Sequence, residues 1–131
     1  MDAPSPLKTI TTADKAFFND RGYLSLPSFV DADWLERLGA VTARIVEESR
    51  DVTESDSDKF DVEGDHTAEN PRLRRLMKPQ DHDPVYEEFA RAGPIVDLAE
   101  DLLGPDIKFH HGKLNFKWAD GGAEVKWHQD I

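Results

Sequence analysis

Apolar positions in "DADWLERLGAVTARIVEESR" recur at helical spacing, with Trp34, Leu38, Val41 and Ile45 on one stripe and Leu35, Thr42 and Val46 beside them. The spacing predicts an amphipathic helix laid on a core, capped by Asp31 or Asp33, with Asp33 and Glu36 resembling a capping pair. Upstream, "TTADKAFFNDRG" reads as a shorter helix with Thr12 as N-cap, Phe17 and Phe18 as anchors and Gly22 as its stop. A strand, "YLSLP", is expected to follow. Residues 51–71 are acidic, polar and nearly without apolar positions, which predicts a long loop, either mobile or bordering a substrate site. From Leu73, "LRRLMKP" predicts a short strand, and "DPVYEEFARAGPIVDLAEDLLG" two helical pieces joined at Gly93-Pro94 and ended by Gly104.

Beyond Pro105 the period changes from helical to alternating. Ile107 and Phe109 share one parity while Leu114, Phe116 and Trp118 take the other, so a bulge or twist is expected near His111-Gly112. "ADGG" is turn chemistry and "AEVKWHQD" reads as the returning strand of a hairpin, with Trp118 and Trp127 in its core.

Composition narrows the partners. Sixteen Lys and Arg against 27 Asp and Glu give a formal net charge of −11, which repels a nucleic-acid backbone or an anionic membrane. A small-molecule substrate is the expected partner. The chain has no cysteine, so disulfides, zinc thiolates and thiol nucleophiles are excluded and a cytoplasmic, reducing setting suits it. The opening "MDAPSPLKTI" has neither the basic start nor the apolar stretch of a signal peptide.

One pair carries candidate metal chemistry. In "VKWHQDI" an extended backbone puts His128 and Asp130 on one face and Gln129 on the other. Two imidazoles and a carboxylate on one face hold Fe(II) well and leave positions open for substrate and oxygen, and this pair would supply two of those three ligands. His110 and His111 are adjacent, so at most one of them faces a given side of a regular strand. His66 and His82 lie in loop-like surroundings.

"FFNDRGYLSLPSFVDADWLERL", "LMKPQDHDPVYEEFA", "LAEDLLGPDIKFHHGKLNFKWADGG" and "VKWHQD" together, in this order, resemble the N-terminal half of the phytanoyl-CoA dioxygenase family. The resemblance implies an α+β fold in which N-terminal helices pack on the first strands of a double-stranded β-helix, or jelly roll. Residues 1–131 would then be the N-terminal portion of a single Fe(II)- and 2-oxoglutarate-dependent dioxygenase domain, incomplete as it stands and inactive alone. It further implies His128 and Asp130 as iron ligands, Lys78 and Gln129 as lining for the 2-oxoglutarate pocket together with Asn115 and Lys117, and molecular oxygen as co-reactant. The family's third ligand lies well beyond the His-x-Asp pair, which sets His110 and His111 aside. A cationic Lys78 complements a dicarboxylate. Exposed strand edges of half a β-helix would invite self-association. The contrasting expectation is a naturally short, acidic, non-catalytic binding module that keeps part of the oxygenase fold.

Overall fold

The computed structural model describes residues 6–56 and 58–129. Helix α1 (Thr12–Arg21) begins one residue earlier than its sequence suggests, because Thr11 rather than Thr12 is the cap. The Thr11 hydroxyl accepts from Asp14 N at 3.1 Å while the Asp14 carboxylate accepts from Thr11 N at 2.9 Å, a reciprocal capping box. Gly22 ends it in the left-handed region (φ +79°), donating its N–H to Phe18 O.

The expected strand at 23–27 does not form: residues 23–26 have no regular structure and enter no ladder, Pro27 begins a turn, and Tyr23 is exposed. Two apolar residues at alternate positions favour a strand only where a neighbour offers hydrogen bonds, and none does here. Helix α2 (Ala32–Glu48) forms as its stripe predicts, with the Asp31 carboxylate accepting from Trp34 N. Asp33 sits inside the first turn instead of at the cap.

Three short strands make one antiparallel sheet in the order β1 (Phe60–Val62), β2 (Leu73–Met77), β3 (Lys113–Asn115). Strand β1 lies inside the acidic stretch expected to be all loop. Its one large apolar residue, Phe60, is buried opposite Leu76, and that single burial outweighs the polar surroundings. The register pairs Phe60 with Leu76 and Leu76 with Leu114 on one face, and Asp61 with Arg75 and Arg75 with Asn115 on the other. A register irregularity falls between Asp61 and Val62, while His111-Gly112, where a bulge or twist is expected, precede β3 outside any ladder.

The apolar face meets α2 and helix α3 (Pro84–Ala92). Ile45, Phe60, Leu73, Leu76 and Tyr86 form the buried centre, flanked by Leu38, Val41, Val46, Val62, Leu114 and Phe116. Tyr86 stays polar at its tip: Thr42 donates to Leu38 O, so the Tyr86 hydroxyl donates to Thr42 Oγ1 at 2.9 Å. Trp34 packs edge-on against Phe89 at 5.2 Å, and Arg44 reaches Asp83, the α3 cap, at 2.7 Å.

Helix α4 (Pro94–Leu103) follows α3 through Gly93, where a Cβ would lie 2.5 Å from Phe89 O, so only glycine permits so close a junction. Near its end the buried Asp101 carboxylate takes hydrogen bonds from Lys8 N, Thr9 N, Thr9 Oγ1 and Ile10 N. Burial pushes this carboxyl up, and those donors more than offset it, leaving its pKa at about 2. The N-terminal segment is thereby fastened to the far end of the helical layer.

Candidate metal and cosubstrate site

The polar face of the sheet is the natural floor of a site. Along it, Arg75 bridges two strands: its guanidinium donates to the Asp61 carboxylate at 2.7 Å, and across the sheet its backbone partner is Asn115. An open cavity of about 320 Å³ lies here, lined by Ser55, Asp61, Arg75 and Met77. Asn115, a predicted cosubstrate residue, therefore stands on the same face as an arginine that the sequence alone did not single out. The missed signal was the register, since Arg75 becomes a facing residue only once Leu76 is known to point into the core.

Lys78 ends β2 in an unusual backbone state. It is exposed, with φ +49° and ψ +56°, and it hands its N–H to Gly112 O at 3.1 Å before the short 3₁₀ turn Pro79–Asp81. A left-handed non-glycine residue carries a conformational cost, and such costs concentrate at functional positions. Lys117 is exposed and donates from Nζ to Ala123 O at 3.0 Å, across the turn expected from "ADGG". In that turn Gly121 and Gly122 adopt φ of +90° and +96°, which explains the glycine pair.

The segment after the turn has no regular structure through Gln129 and forms no ladder among the described residues. The returning strand expected at 123–130 is thus absent as a paired element over its described residues, 123–129, and Trp127, expected in a hairpin core, is fully exposed. Trp118 behaves as predicted, half-buried and donating its indole N–H to Leu73 O at 2.9 Å. His128 is exposed, and its Nδ1 lies 2.8 Å from Lys126 O. A carbonyl only accepts, so Nδ1 carries the proton and, in the neutral ring, the basic lone pair belongs to Nε2. Gln129 is exposed, and Asp130 lies outside the described residues.

Among the described residues no three His, Asp or Glu side chains are grouped to hold a metal. The other histidines have local partners. His66 Nδ1 accepts from Arg72 N at 2.8 Å, His82 stacks on Phe60 and meets Met77 O, and His110 and His111 lie edge-on to each other with centroids 4.5 Å apart. No helix of the described residues is long and apolar enough to cross a membrane.

Comparison with known proteins decides the family. The model of the family described as phytanoyl-CoA dioxygenase (PhyH) matches residues 18–131. The chain belongs to the phytanoyl-CoA dioxygenase family. Among its relatives, a probable alpha-ketoglutarate-dependent hypophosphite dioxygenase of Stutzerimonas stutzeri is 31% identical over 117 residues, covering 85% of this chain and 38% of the relative. An ectoine dioxygenase of Sphingopyxis alaskensis is 26% identical over 130 residues, 99% of this chain and 39% of that protein. An L-proline trans-4-hydroxylase of Streptomyces griseoviridis is 39% identical over 59 residues, 45% of this chain and 22% of that protein. The chain thus spans about two fifths of the length of the first two relatives. No solved structure gives a significant match. The α+β reading stands at this level: helices on a small antiparallel sheet, in a family of dioxygenases.

Proposed function

We propose that the protein carrying this chain is an Fe(II)- and 2-oxoglutarate-dependent dioxygenase that hydroxylates a small organic substrate, with His128 and Asp130 as two of its iron ligands. The observation that carries the reading is the family match over residues 18–131, and the His128 ring beside it has its Nδ1 2.8 Å from Lys126 O. Holding the distal nitrogen's proton on a backbone carbonyl is how ligating histidines are oriented and made more basic. The family match, which runs through this motif, supports the same assignment.

Iron, when bound, supplies oxygen activation coupled to conversion of 2-oxoglutarate to succinate and carbon dioxide. The chain's own residues bind and orient. Lys78, at the strained end of β2, offers a cation for a cosubstrate carboxylate, with Asn115, Lys117 and Gln129 as further polar lining. The jelly-roll architecture and a cytoplasmic setting belong to the same proposal. The relatives named above are called dioxygenases of hypophosphite and ectoine and a hydroxylase of proline, which favours a small polar solute here over a long acyl thioester. The net charge of −11 also disfavours a highly anionic CoA ester.

Anaerobic titration of Fe(II) with 2-oxoglutarate, following the visible charge-transfer band, tests the site. The band is expected in the wild-type protein and absent in His128→Ala. Its survival in His128→Ala, or its absence from the wild type, overturns the assignment, and the latter favours the acidic binding module instead. Lys78→Gly relaxes the left-handed backbone while removing the cation, so weaker 2-oxoglutarate binding, by roughly tenfold to a hundredfold, isolates the charge.

A further inference from the structure

The acidic stretch between α2 and β2 contributes a buried charge to the other end of the sheet. Glu63 and Arg72 are each only 7% exposed, and the backbone joins them through Glu63 N to Arg72 O at 2.9 Å. Their side chains both close on the glycine turn. Glu63 accepts from Ala123 N at 2.9 Å, and Arg72 donates from Nη2 to Asp120 O at 2.6 Å. Arg72 also lies 3.1 Å from Asp65 through Nε, an ion pair without hydrogen-bond alignment, and its guanidinium sits 5.8 Å from the Trp118 ring centroid. A Cβ on Gly122 would come within 3.2 Å of Glu63 Oε1, and one on Gly121 within 3.6 Å of Arg72 Nη2. The turn is therefore gripped from two sides.

We propose that Glu63 and Arg72 are positioning residues, a buried clasp on residues 120–123 that fixes where the following segment, with His128, lies. Filling the same space with apolar side chains would avoid the desolvation of two charges. Apolar side chains could not accept the Ala123 N–H or donate to Asp120 O, and Glu63 and Arg72 do so in fixed directions. From Ala123 to His128 is five residues, about 16 Å of extended chain, so an anchor at Ala123 limits the volume the imidazole can sample. The orienting half of the proposal rests on His128 as an iron ligand, and the grip on the turn does not.

Two measurements on the purified protein separate these halves: residue-resolved amide hydrogen exchange without metal, and Co(II) affinity read from its d–d absorption. Glu63→Ala is expected to speed exchange at residues 120–124 by about tenfold or more while amides around Ile45 in α2 stay protected, and to weaken Co(II) binding by about tenfold. Glu63→Gln keeps a carbonyl acceptor and should restore most of both. Gly122→Ala opens the clasp from the opposite side, through its Cβ and its positive φ, and should reproduce Glu63→Ala with Glu63 intact. A rise in exchange that is equal in α2 and in the turn, or no rise at the turn, overturns the clasp. Unchanged Co(II) affinity beside a loosened turn overturns its orienting role. If the wild type takes up no Co(II), the iron reading and the orienting half both fall, and exchange alone decides the grip.

Discussion

Truncating Leu76 to alanine would remove the side chain on which the sheet and helices converge. Leu76 is fully buried, stands between Phe60 and Leu114 across the two ladders, and belongs to the same buried cluster as Ile45 and Tyr86. The change deletes three carbons, and at about 0.8 kcal/mol for each buried methylene the lost transfer free energy is about 2.4 kcal/mol. Its neighbours hang on four separate elements and collapse only in part, so the cavity adds to this, for a total of about 3 to 4 kcal/mol. Equilibrium urea unfolding followed by tryptophan fluorescence should show the midpoint falling with an unchanged slope, and melting should drop by about 10 °C. Leu103, 75% exposed at the end of α4, is the control, and Leu103→Ala should stay within about 0.5 kcal/mol of wild type. If the two variants lose the same stability, the sheet does not sit on α2 and α3 through Leu76 and the face assignment fails with it.

Acid should release the N-terminal segment. The Asp101 carboxyl is held below its ordinary value of 3.8, at about 2, so its contribution is complete above 3.8 and is lost as pH falls through about 2. NMR shifts of the Thr9 and Ile10 amides should move over that window, and Asp101→Asn should bring the loosened positions to neutral pH; amides that stay fixed down to pH 2 would refute the fastening. Gly93→Ala drives a Cβ against Phe89 O, and with overpacking of this kind it should lower stability by about 1 to 3 kcal/mol in thermal melts. An unchanged melting point would mean that the α3 to α4 junction is not tightly packed at Gly93.

Legibility from sequence followed the source of each element's stability. Helix α2 was readable because its stripe, its cap and its length agree, and α3 and α4 because Gly93-Pro94 and Gly104 punctuate them. Strands were harder, since a strand is decided by its neighbour. The alternation at Tyr23–Leu26 found none, while Phe60–Val62, three residues in an acidic run, found Leu76 and the core. Local pattern carries no record of that choice. His128 and Asp130 could be nominated from spacing, yet the residues that grip the turn ahead of them, Glu63 and Arg72, look like ordinary surface charges until their burial is known.

The Asp101 grip also has a consequence for the order in which the molecule comes apart. Helix α1 has no buried residue, and the stretch from residue 22 to 30 joins it to α2 without a ladder. The Asp101 hydrogen bonds that fasten its start span 91 to 93 residues of sequence, a loop whose closure is entropically costly unless the sheet and helices between are already in place. Helix α1 with its leader should then behave as a separate cooperative unit, the last to dock and the first to swing free. A protease that cuts near Tyr23 under native conditions would read the free energy of that opening rather than of global unfolding, and Asp101, some eighty residues away in sequence, would set its rate.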